Sequence, residues 1–344
     1  MTLLKIGEHE IAMGTKCKID LPVAKLYTDA AVKLPVYIIR AKKPGPTLFV
    51  SAAIHGDELN GIEIIRRLIN MKKFRLSSGT LISVPMVNVY GVVNQSRYMP
   101  DRRDLNRSFP GSAKGSLAAR VANIFLKEIV AHCDYGIDLH TGAVHRSNLP
   151  QIRANLMDEE TLQLAKEFGV PVILNSEILE GSLREAAAQS GTKVLLYEAG
   201  EALRFDEFSI RAGIKGIVNI LRHLKMMPKS RARKRQQCHF VAKNSGWLRA
   251  SASGIACHYF ALGDTVKAGD VLADIGGPYG EQLGQVIAIR GGVIIGKQNI
   301  PLVQEGEAMY HIAFFDEEDT QITEHIEQIE AELVENTVRS EELL

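Results

Sequence analysis

The sequence is poor in the features that mark a secreted protein. Its 344 residues include four cysteines, Cys17, Cys133, Cys238 and Cys257, and none belongs to a CxxC pair. This is too little cysteine for a small disulfide-stabilised domain, so we expect reduced thiols in a cytoplasmic protein. The first residues, MTLLKIGEHEIAMGTK, carry charges and glycines where an export signal needs an unbroken apolar stretch.

The sequence also lacks long apolar runs and an excess of charge of one sign. No segment approaches the roughly eighteen uncharged apolar residues that a membrane-spanning helix requires, so no membrane partner is predicted. Lysine and arginine total 41, against 40 for aspartate and glutamate. This balance creates no general electrostatic attraction for nucleic acid, which is therefore not predicted as a partner.

An α/β pattern fills the part of the chain between about residue 34 and residue 225. Strands are predicted at Thr47–Ile54, Thr80–Val87, Tyr135–Leu139 and Lys193–Tyr197, and helices at Leu59–Leu68 and Leu117–Val130. In the first helix, helical spacing predicts that Ile62, Ile65 and Ile69 form one apolar face. Strands that alternate with helices indicate an α/β domain, here residues 1–227, with a mixed or parallel sheet flanked by helices.

The composition changes at Pro228. Residues 228–237 read PKSRARKRQQ, which we interpret as a basic interdomain linker, because the run is short and has no aromatics among its charges. Residues 238–315 contain short glycine-led β segments with a weak repeat, VKAGDVLADI and VQEGEAMYHI, which predicts a small all-β sandwich. Residues 316–344 are acidic with isoleucines at helical spacing, so we predict a helical tail that docks on a surface or another subunit of a homo-oligomer.

The sharpest chemical signal is the sequence HGDE. His55 follows a predicted strand and Glu58 begins the next helix, so the two side chains can reach one metal ion at the carboxyl end of the sheet. A second histidine, His140, ends another predicted strand, and Asp138 lies two residues earlier on the same side. Two histidines and one glutamate form a donor set of the catalytic zinc type, with Asp138 able to orient His140.

A polar loop and a strand end supply further candidates. Asn106 and Arg107 lie in the loop DLNRSFPG and can grip a carboxylate, although an exposed polar loop explains them equally well. One of Arg97, Arg102 and Arg103 can stabilise an oxyanion. In a separate block, Glu198 follows the strand KVLLY, where a buried charge is costly unless it is used, and this suggests a general base. Glu201 is the alternative, at a position that looks more exposed.

Four blocks in this order, HGDE, DLNRSFPG, DLHTG and YEAGE, resemble the succinylglutamate desuccinylase and aspartoacylase family, which is related to the zinc carboxypeptidases. The resemblance covers most of residues 1–225, and its specificity lies in the combination of blocks. It implies a carboxypeptidase-like α/β fold and one Zn²⁺ per chain, bound by His55, Glu58 and His140. The substrate it implies is a small N-acyl amino acid, whose amide bond is hydrolysed.

The same resemblance implies roles for individual residues. Asn106 and Arg107 would bind the substrate carboxylate, and Glu198 would activate water. An arginine before DLNR would polarise the scissile carbonyl. Arg97 is our choice for that role, with Arg103 kept as a further substrate-binding candidate. Arg102 occupies a position where bacterial relatives often have glycine.

The C-terminal β region is similar to the barrel-sandwich domain of lipoyl carriers, which many bacterial members of the family carry. Between its repeats the chain reads GGPYGEQLG, without the lysine that a carrier modifies. We therefore expect this region to close over the active site or to mediate assembly. Three other functions are weighed against the deacylase: a zinc carboxypeptidase that acts on short peptides, a non-catalytic metal-binding or assembly protein, and nucleic-acid binding through PKSRARKRQQ.

Overall fold

A computed structural model describes residues 3–72, 74–229, 240–242, 244–315 and Ile326. The described residues form nineteen strands: β1 (Leu4–Ile6), β2 (His9–Ile11), β3 (Lys16–Lys25), β4 (Ala31–Arg40), β5 (Thr47–Ala52), β6 (Thr80–Val84), β7 (Tyr135–Gly142), β8 (Arg146–Ala154), β9 (Val172–Asn175), β10 (Lys193–Glu201), β11 (Phe240–Ala242), β12 (Asn244–Arg249), β13 (Gly254–His258), β14 (Thr265–Val266), β15 (Val271–Gly276), β16 (Gln282–Ile287), β17 (Gly292–Gln298), β18 (Leu302–Val303) and β19 (Ala308–Phe314). They also form six α-helices: α1 (Asn60–Asn70), α2 (Val89–Val93), α3 (Leu117–Glu128), α4 (Glu159–Phe168), α5 (Leu183–Gln189) and α6 (Glu207–His223). Short 3-10 turns lie at Leu105–Arg107 and Val130–His132.

One large mixed sheet organises the molecule, in the order β12-β19-β17-β8-β10-β7-β5-β6-β4-β3. The four strands β10, β7, β5 and β6 at its centre are parallel to one another. They are nearly continuous apolar runs, as expected for strands covered on both faces. Outside them, β8 pairs antiparallel with β10, β4 pairs antiparallel with β6, and β3 pairs antiparallel with β4. The carboxyl ends of the four parallel strands therefore lie along one edge of the sheet.

Helices cover both faces of this sheet. On one face, α1, α4 and α6 enclose a core with Leu68, Phe168 and Ile217, and on the other, α3 and α5 pack residues such as Phe125 and Ala187. The sequence-based prediction of a mixed sheet flanked by helices is thus confirmed. No helix within the described residues is both long and apolar enough to cross a membrane.

The buried face of α1 differs from the predicted one. Ile64, Ile65 and Leu68 are fully buried, whereas Ile62 and Ile69 are half-buried. The prediction was wrong for Ile62 and Ile69, because the buried face is rotated around the helix axis by about one residue from the predicted face. Five of the α1 positions carry apolar side chains, so spacing alone permitted two overlapping faces. Packing against β5 and β7 decides between them, because Gly61 approaches the Cβ atoms of both strands too closely to carry a side chain.

The C-terminal β region continues the large sheet. β17 pairs with β8, with Gly296 opposite Asn148, and β12, β14, β17 and β19 face a second sheet of order β16-β15-β13-β18. Buried side chains such as Leu272, Ile275 and Ile312 fill the space between the two sheets, which confirms the predicted all-β sandwich. Most of the predicted basic linker and acidic tail lies outside the described residues. Ile326, the one described residue of the tail, is buried.

Candidate metal centre and active site

The parallel strands bring separate blocks of the sequence to one edge of the sheet. His55 follows β5, and Glu58 precedes the first residue of α1. His140 lies in β7, which continues two residues beyond it, so the predicted strand end at Leu139 was too early. Glu198 lies in β10 directly opposite His140 in the register of the two strands. The parallel register explains why residues 140 positions apart in the chain share one site.

Glu58 lies between two imidazole rings. Its Oε1 is 2.7 Å from Nδ1 of His55, and its Oε2 is 2.8 Å from Nδ1 of His140. All three side chains are buried, and one potential ligand atom from each lies within 4.8 Å of the others. Two imidazole nitrogens and a carboxylate oxygen in such a group can hold a metal ion, and this donor set is the one found in catalytic zinc sites.

Carboxylates hold the far nitrogen of each ring. Nε2 of His140 is 2.8 Å from Oδ2 of Asp138, whose other oxygen accepts a hydrogen bond from Ser51. Nε2 of His55 is 3.2 Å from Oδ1 of Asp104. A carboxylate on the far nitrogen fixes the orientation of a ligand imidazole and raises its basicity, so both rings are arranged as metal ligands are. The contact of Asp138 with His140 was predicted from their spacing, whereas that of Asp104 with His55 was not.

The charges in this cluster follow from burial and from these contacts. Burial would raise the pKa of Glu58, but His55 and His140 outweigh it and hold that pKa well below its usual range. Burial favours the neutral form of His140, but Asp138 and Glu58 outweigh it and raise the pKa of the ring. Glu58 is therefore an anion at neutral pH. A metal ion that binds here displaces protons from the two imidazoles.

A cavity of about 260 Å³ opens at this centre. Its wall contains His55, Glu58, His140 and Glu198, together with an unusual number of arginines: Arg97, Arg107, Arg146, Arg153 and Arg184. The five guanidinium groups outnumber the two glutamates of the wall, and this excess of positive charge favours an anionic ligand. The volume suits a molecule of amino-acid size.

The candidate arginines before the DLNR block lie in different places. Arg97 lines the cavity, with Nη2 2.9 Å from Oδ2 of Asp104 and Nη1 3.6 Å from Oε1 of Glu58. The side chain of Arg103 is 64% exposed and lies 3.9 Å from Asp101, outside the cavity wall that the described residues form. Arg102 has a φ of 63°, a left-handed conformation that glycine adopts without strain.

Asn106 and Arg107 both line the cavity, from the 3-10 turn that Asp104 caps. Asn106 is buried, and its Oδ1 accepts a hydrogen bond from the backbone N–H of Leu183 at the start of α5. Its Nδ2 group therefore remains to donate to a ligand. Nη1 of Arg107 donates to the backbone oxygen of Asn106, and no described carboxylate forms an ion pair with Arg107.

The two glutamates of the YEAGE block differ in their access to the cavity. Glu198 lines the cavity, and its Oε2 accepts a hydrogen bond from Nδ2 of Asn148. Glu201, which the sequence suggested to be more exposed, is buried, and that expectation was wrong. Its carboxylate accepts hydrogen bonds from the backbone N–H of His145 and from Nδ2 of Asn299. β10 extends through Glu201, so its last residues pack beneath the C-terminal β region rather than emerge into solvent.

Sequence reasoning missed part of the cavity wall. Arg184 is 8% exposed and lines the cavity, where burial and then Arg153 lower its pKa. Arg153 and Asn148 come from β8, and Trp247 comes from β12 of the C-terminal region. No local pattern marks these residues, because only the pairing of β8 with β10 and β17 brings them to the site.

Comparison with known proteins agrees with this geometry. The chain is 28% identical over 255 residues to an N-alpha-acetyl-L-2,4-diaminobutyric acid deacetylase from Halomonas elongata, a match that covers 71% of this chain and 74% of that protein. Its fold resembles that of the product-bound ectoine utilization protein EutE (DoeB) from Ruegeria pomeroyi, with a TM-score of 0.76, 22% identity, and coverage of 87% of this chain and 94% of that one.

A similar fold is found in a succinylglutamate desuccinylase/aspartoacylase from Rhodobacter sphaeroides. The TM-score is 0.74 at 22% identity, and the similarity covers 87% of this chain and 96% of that one. These coverages include the C-terminal β region, so both parts of the architecture are shared. Residues 44–224, just over half of the chain, match the family model of the succinylglutamate desuccinylase/aspartoacylase catalytic domain. The chain therefore belongs to the succinylglutamate desuccinylase/aspartoacylase family.

Proposed function

We propose that this chain is a zinc-dependent deacylase that hydrolyses the amide bond of a small N-acyl amino acid. The observation that carries the proposal is the group of His55, Glu58 and His140 at the edge of an arginine-lined cavity that also presents Glu198. Family membership and the 28% identical deacetylase support the same class of reaction. The single group of this kind within the described residues supports one zinc ion per chain.

Placement in the cavity supports the following catalytic roles. His55, Glu58 and His140 would hold the zinc ion, which would supply Lewis-acid chemistry to a carbonyl group and to water. Glu198 accepts the proton of the attacking water and later donates it to the leaving amine. Arg97, fixed by its ion pair with Asp104, donates to the oxyanion that develops on the carbonyl.

We assign substrate orientation to Arg107, which forms no ion pair with a described carboxylate. Arg107 can grip the α-carboxylate by a two-pronged contact, and the free Nδ2 group of Asn106 adds a third donor. Arg103 has no part in this orientation, because its side chain lies outside the cavity wall of the described residues.

The competing functions are less well supported. A carboxypeptidase would use the same zinc ligands and carboxylate clamp, but a cavity of about 260 Å³ is closer in size to an amino acid than to a peptide groove. A non-catalytic protein has no need of Glu198 in the cavity wall. The basic segment proposed for nucleic acid lies almost entirely outside the described residues.

The broader organisation is also proposed. We assign residues 1–227 to the hydrolase unit, 228–237 to the linker, 238–315 to the β-sandwich, and 316–344 to the tail. A cytoplasmic location and a homo-oligomeric state remain predictions.

The test begins with metal analysis of the purified protein, followed by a screen of N-acyl amino acids and short peptides with and without chelator. We expect about one zinc per chain and chelator-sensitive release of free amino acid. The Glu198→Gln variant should keep its zinc and lose about 10²-fold or more of the rate. Hydrolysis of peptides alone would favour the carboxypeptidase. Full activity of Glu198→Gln would overturn the assignment of the base.

A further inference from the structure

The chain contains one tryptophan, Trp247, and this residue lies in the wall of the active-site cavity. It belongs to β12 in the C-terminal β region, outside residues 44–224 that match the family's catalytic domain. The cavity is therefore completed by a large side chain that the catalytic domain itself does not supply. A half-buried indole in the same cavity wall as His55, Glu58 and His140 is available for contact with a molecule that the cavity binds.

Trp247 is held in a fixed orientation. Its ring stacks on the imidazole of His311, with a centroid separation of 4.6 Å and an interplanar angle of 8°. Nε2 of His311 is 2.8 Å from Oγ of Ser245, which fixes the imidazole in turn. The guanidinium carbon of Arg146, another cavity residue, lies 5.6 Å from the centroid of the Trp247 ring. An aromatic side chain already ordered in this way loses little conformational entropy when a ligand contacts it.

The imidazole of His311, on which Trp247 stacks, is uncharged at neutral pH. Burial, and then the neighbouring Arg153, lower the pKa of His311 to about 3. The imidazole is therefore a neutral stacking partner, and the positive charge beside the indole comes from Arg146. This part of the cavity wall therefore combines the rigid apolar ring of Trp247 with the positive charge of Arg146 at the edge of the ring.

Gly296 connects this surface to the proposed general base. A Cβ atom at position 296 would lie 3.0 Å from Cβ of His311, 3.1 Å from Oδ1 of Asn148 and 3.5 Å from Cη2 of Trp247. Asn148 in turn donates to Glu198. One glycine thus allows the indole and the residue that holds the base to pack together, so the position of Trp247 is set relative to the reacting groups.

We propose that Trp247, held by His311 and Arg146, contacts the bound substrate and limits the size of the groups that the cavity accepts. The proposal rests on the deacylase function proposed above and assigns a specificity determinant to it. A rigid indole cannot move aside for extra methylene groups while its ring is stacked, so longer acyl groups or side chains meet it. Small substrates are accepted, and larger ones are rejected.

The first test measures kcat/KM for a homologous series of N-acyl amino acids in the wild-type protein and in Trp247→Ala. The acyl chain is lengthened from formyl to butanoyl on one amino acid, and the amino-acid side chain is lengthened under a fixed acetyl group. We expect the preference for small over large substrates to fall at least about tenfold in one of the two series. Tyr279→Ala, which removes a 95% exposed aromatic from the same β region, should leave the preference as it is. An equal loss of kcat/KM for every substrate in Trp247→Ala would overturn the proposal.

The second test does not depend on turnover or on the folding of Trp247→Ala. Because Trp247 is the only tryptophan, its emission in the zinc-loaded Glu198→Gln protein reports contact in the cavity directly. Titration with the same N-acyl amino acids should change the emission saturably, and Trp247→Phe should lack the signal. If no compound is hydrolysed by the wild-type protein, the proposed function fails, yet a saturable change would still support the contact. The absence of any change at concentrations that saturate turnover, or across the full titration of an inactive protein, would overturn it.

Discussion

Asn148 donates a hydrogen bond from its side-chain amide to Oε2 of Glu198 and so joins the proposed base to the neighbouring strand. Asn148 is buried in β8, where the register places it opposite Gly200 of β10 on one side and opposite Gly296 of β17 on the other. A carboxylate held by a buried amide has few rotamers available to it. The hydrogen bond therefore presents Glu198 to the cavity in one orientation.

Replacing Asn148 by alanine should lower kcat about tenfold and leave KM and zinc content nearly unchanged, because Glu198 loses its fixed orientation while the ligands and arginines stay in place. Steady-state kinetics and metal analysis check this. Asn299→Ala is the matched control, because it removes an amide that binds Glu201, a carboxylate outside the cavity wall of the described residues. A normal kcat in Asn148→Ala would show that the hydrogen bond has no positioning role.

Much of the hydrolase fold could be predicted because its signals are local. The central strands are short apolar runs bounded by turns, and their order along the chain, alternating with helices, implies a parallel sheet. From that it follows that residues at strand ends meet at one edge, so the sequence predicts that His55 and His140 lie close together. The long antiparallel hairpin of β3 and β4 was not predicted, because alternation over half-exposed strands is a weaker signal than a buried apolar run.

The rest of the site depends on contacts between distant segments. Arg184 is the second residue of α5, and nothing local shows that the first turn of this helix faces the cavity instead of solvent. The burial of Glu201 depends on Asn299 from the C-terminal region, nearly one hundred residues away. Trp247 reaches the cavity only because β17 pairs with β8. Sequence patterns indicate individual helices and strands, whereas the positions of Arg184, Glu201 and Trp247 depend on how those helices and strands pack together.

Asp138→Asn should weaken zinc binding about 10- to 100-fold, because an amide beside Nε2 of His140 removes the charge that orients the ring and raises its basicity. Ser51 still bonds to residue 138, so the local structure should be preserved. Competition with a chelator of known affinity gives the dissociation constant. Asp134→Asn is the control, because Asp134 accepts from the backbone of Thr47 at the opposite end of the strands. Equal affinities in the two variants would contradict the role of Asp138.

Gly56→Ala should destabilise the protein by about 3 kcal/mol and release zinc. A Cβ atom at position 56 would lie 1.9 Å from the backbone carbonyl carbon of Gly91 in α2, and backbone cannot move aside as a flexible side chain can. The strain would fall between His55 and Glu58 and separate the two ligands. Urea unfolding and metal analysis measure both effects. At Gly291 the nearest atom to an added Cβ is 3.4 Å away, so Gly291→Ala should be close to neutral. Retention of zinc and stability in Gly56→Ala would refute this explanation of the HGDE glycine.

His311 should make the folded protein sensitive to acid. Its pKa is lowered from 6.5 to about 3 by burial and by Arg153, so between these values the unfolded chain binds a proton that the folded protein does not. The free energy of unfolding therefore decreases as the pH falls through 6.5. Two pH units below that point, the loss attributable to His311 is at most about 3 kcal/mol.

His311→Phe keeps an aromatic ring under Trp247 and removes the titrating group. Urea unfolding at pH 7 and pH 4.5, with excess chelator so that metal release does not contribute, should show a smaller loss of stability at low pH in His311→Phe than in the wild-type protein. His132→Phe controls for the removal of any histidine, because His132 is exposed in the folded protein as well as in the unfolded chain. If the wild-type and His311→Phe proteins lose the same free energy between the two pH values, then folding does not lower the pKa of His311. In that case the indole of Trp247 stacks on a cation at pH 4.5 rather than on a neutral ring.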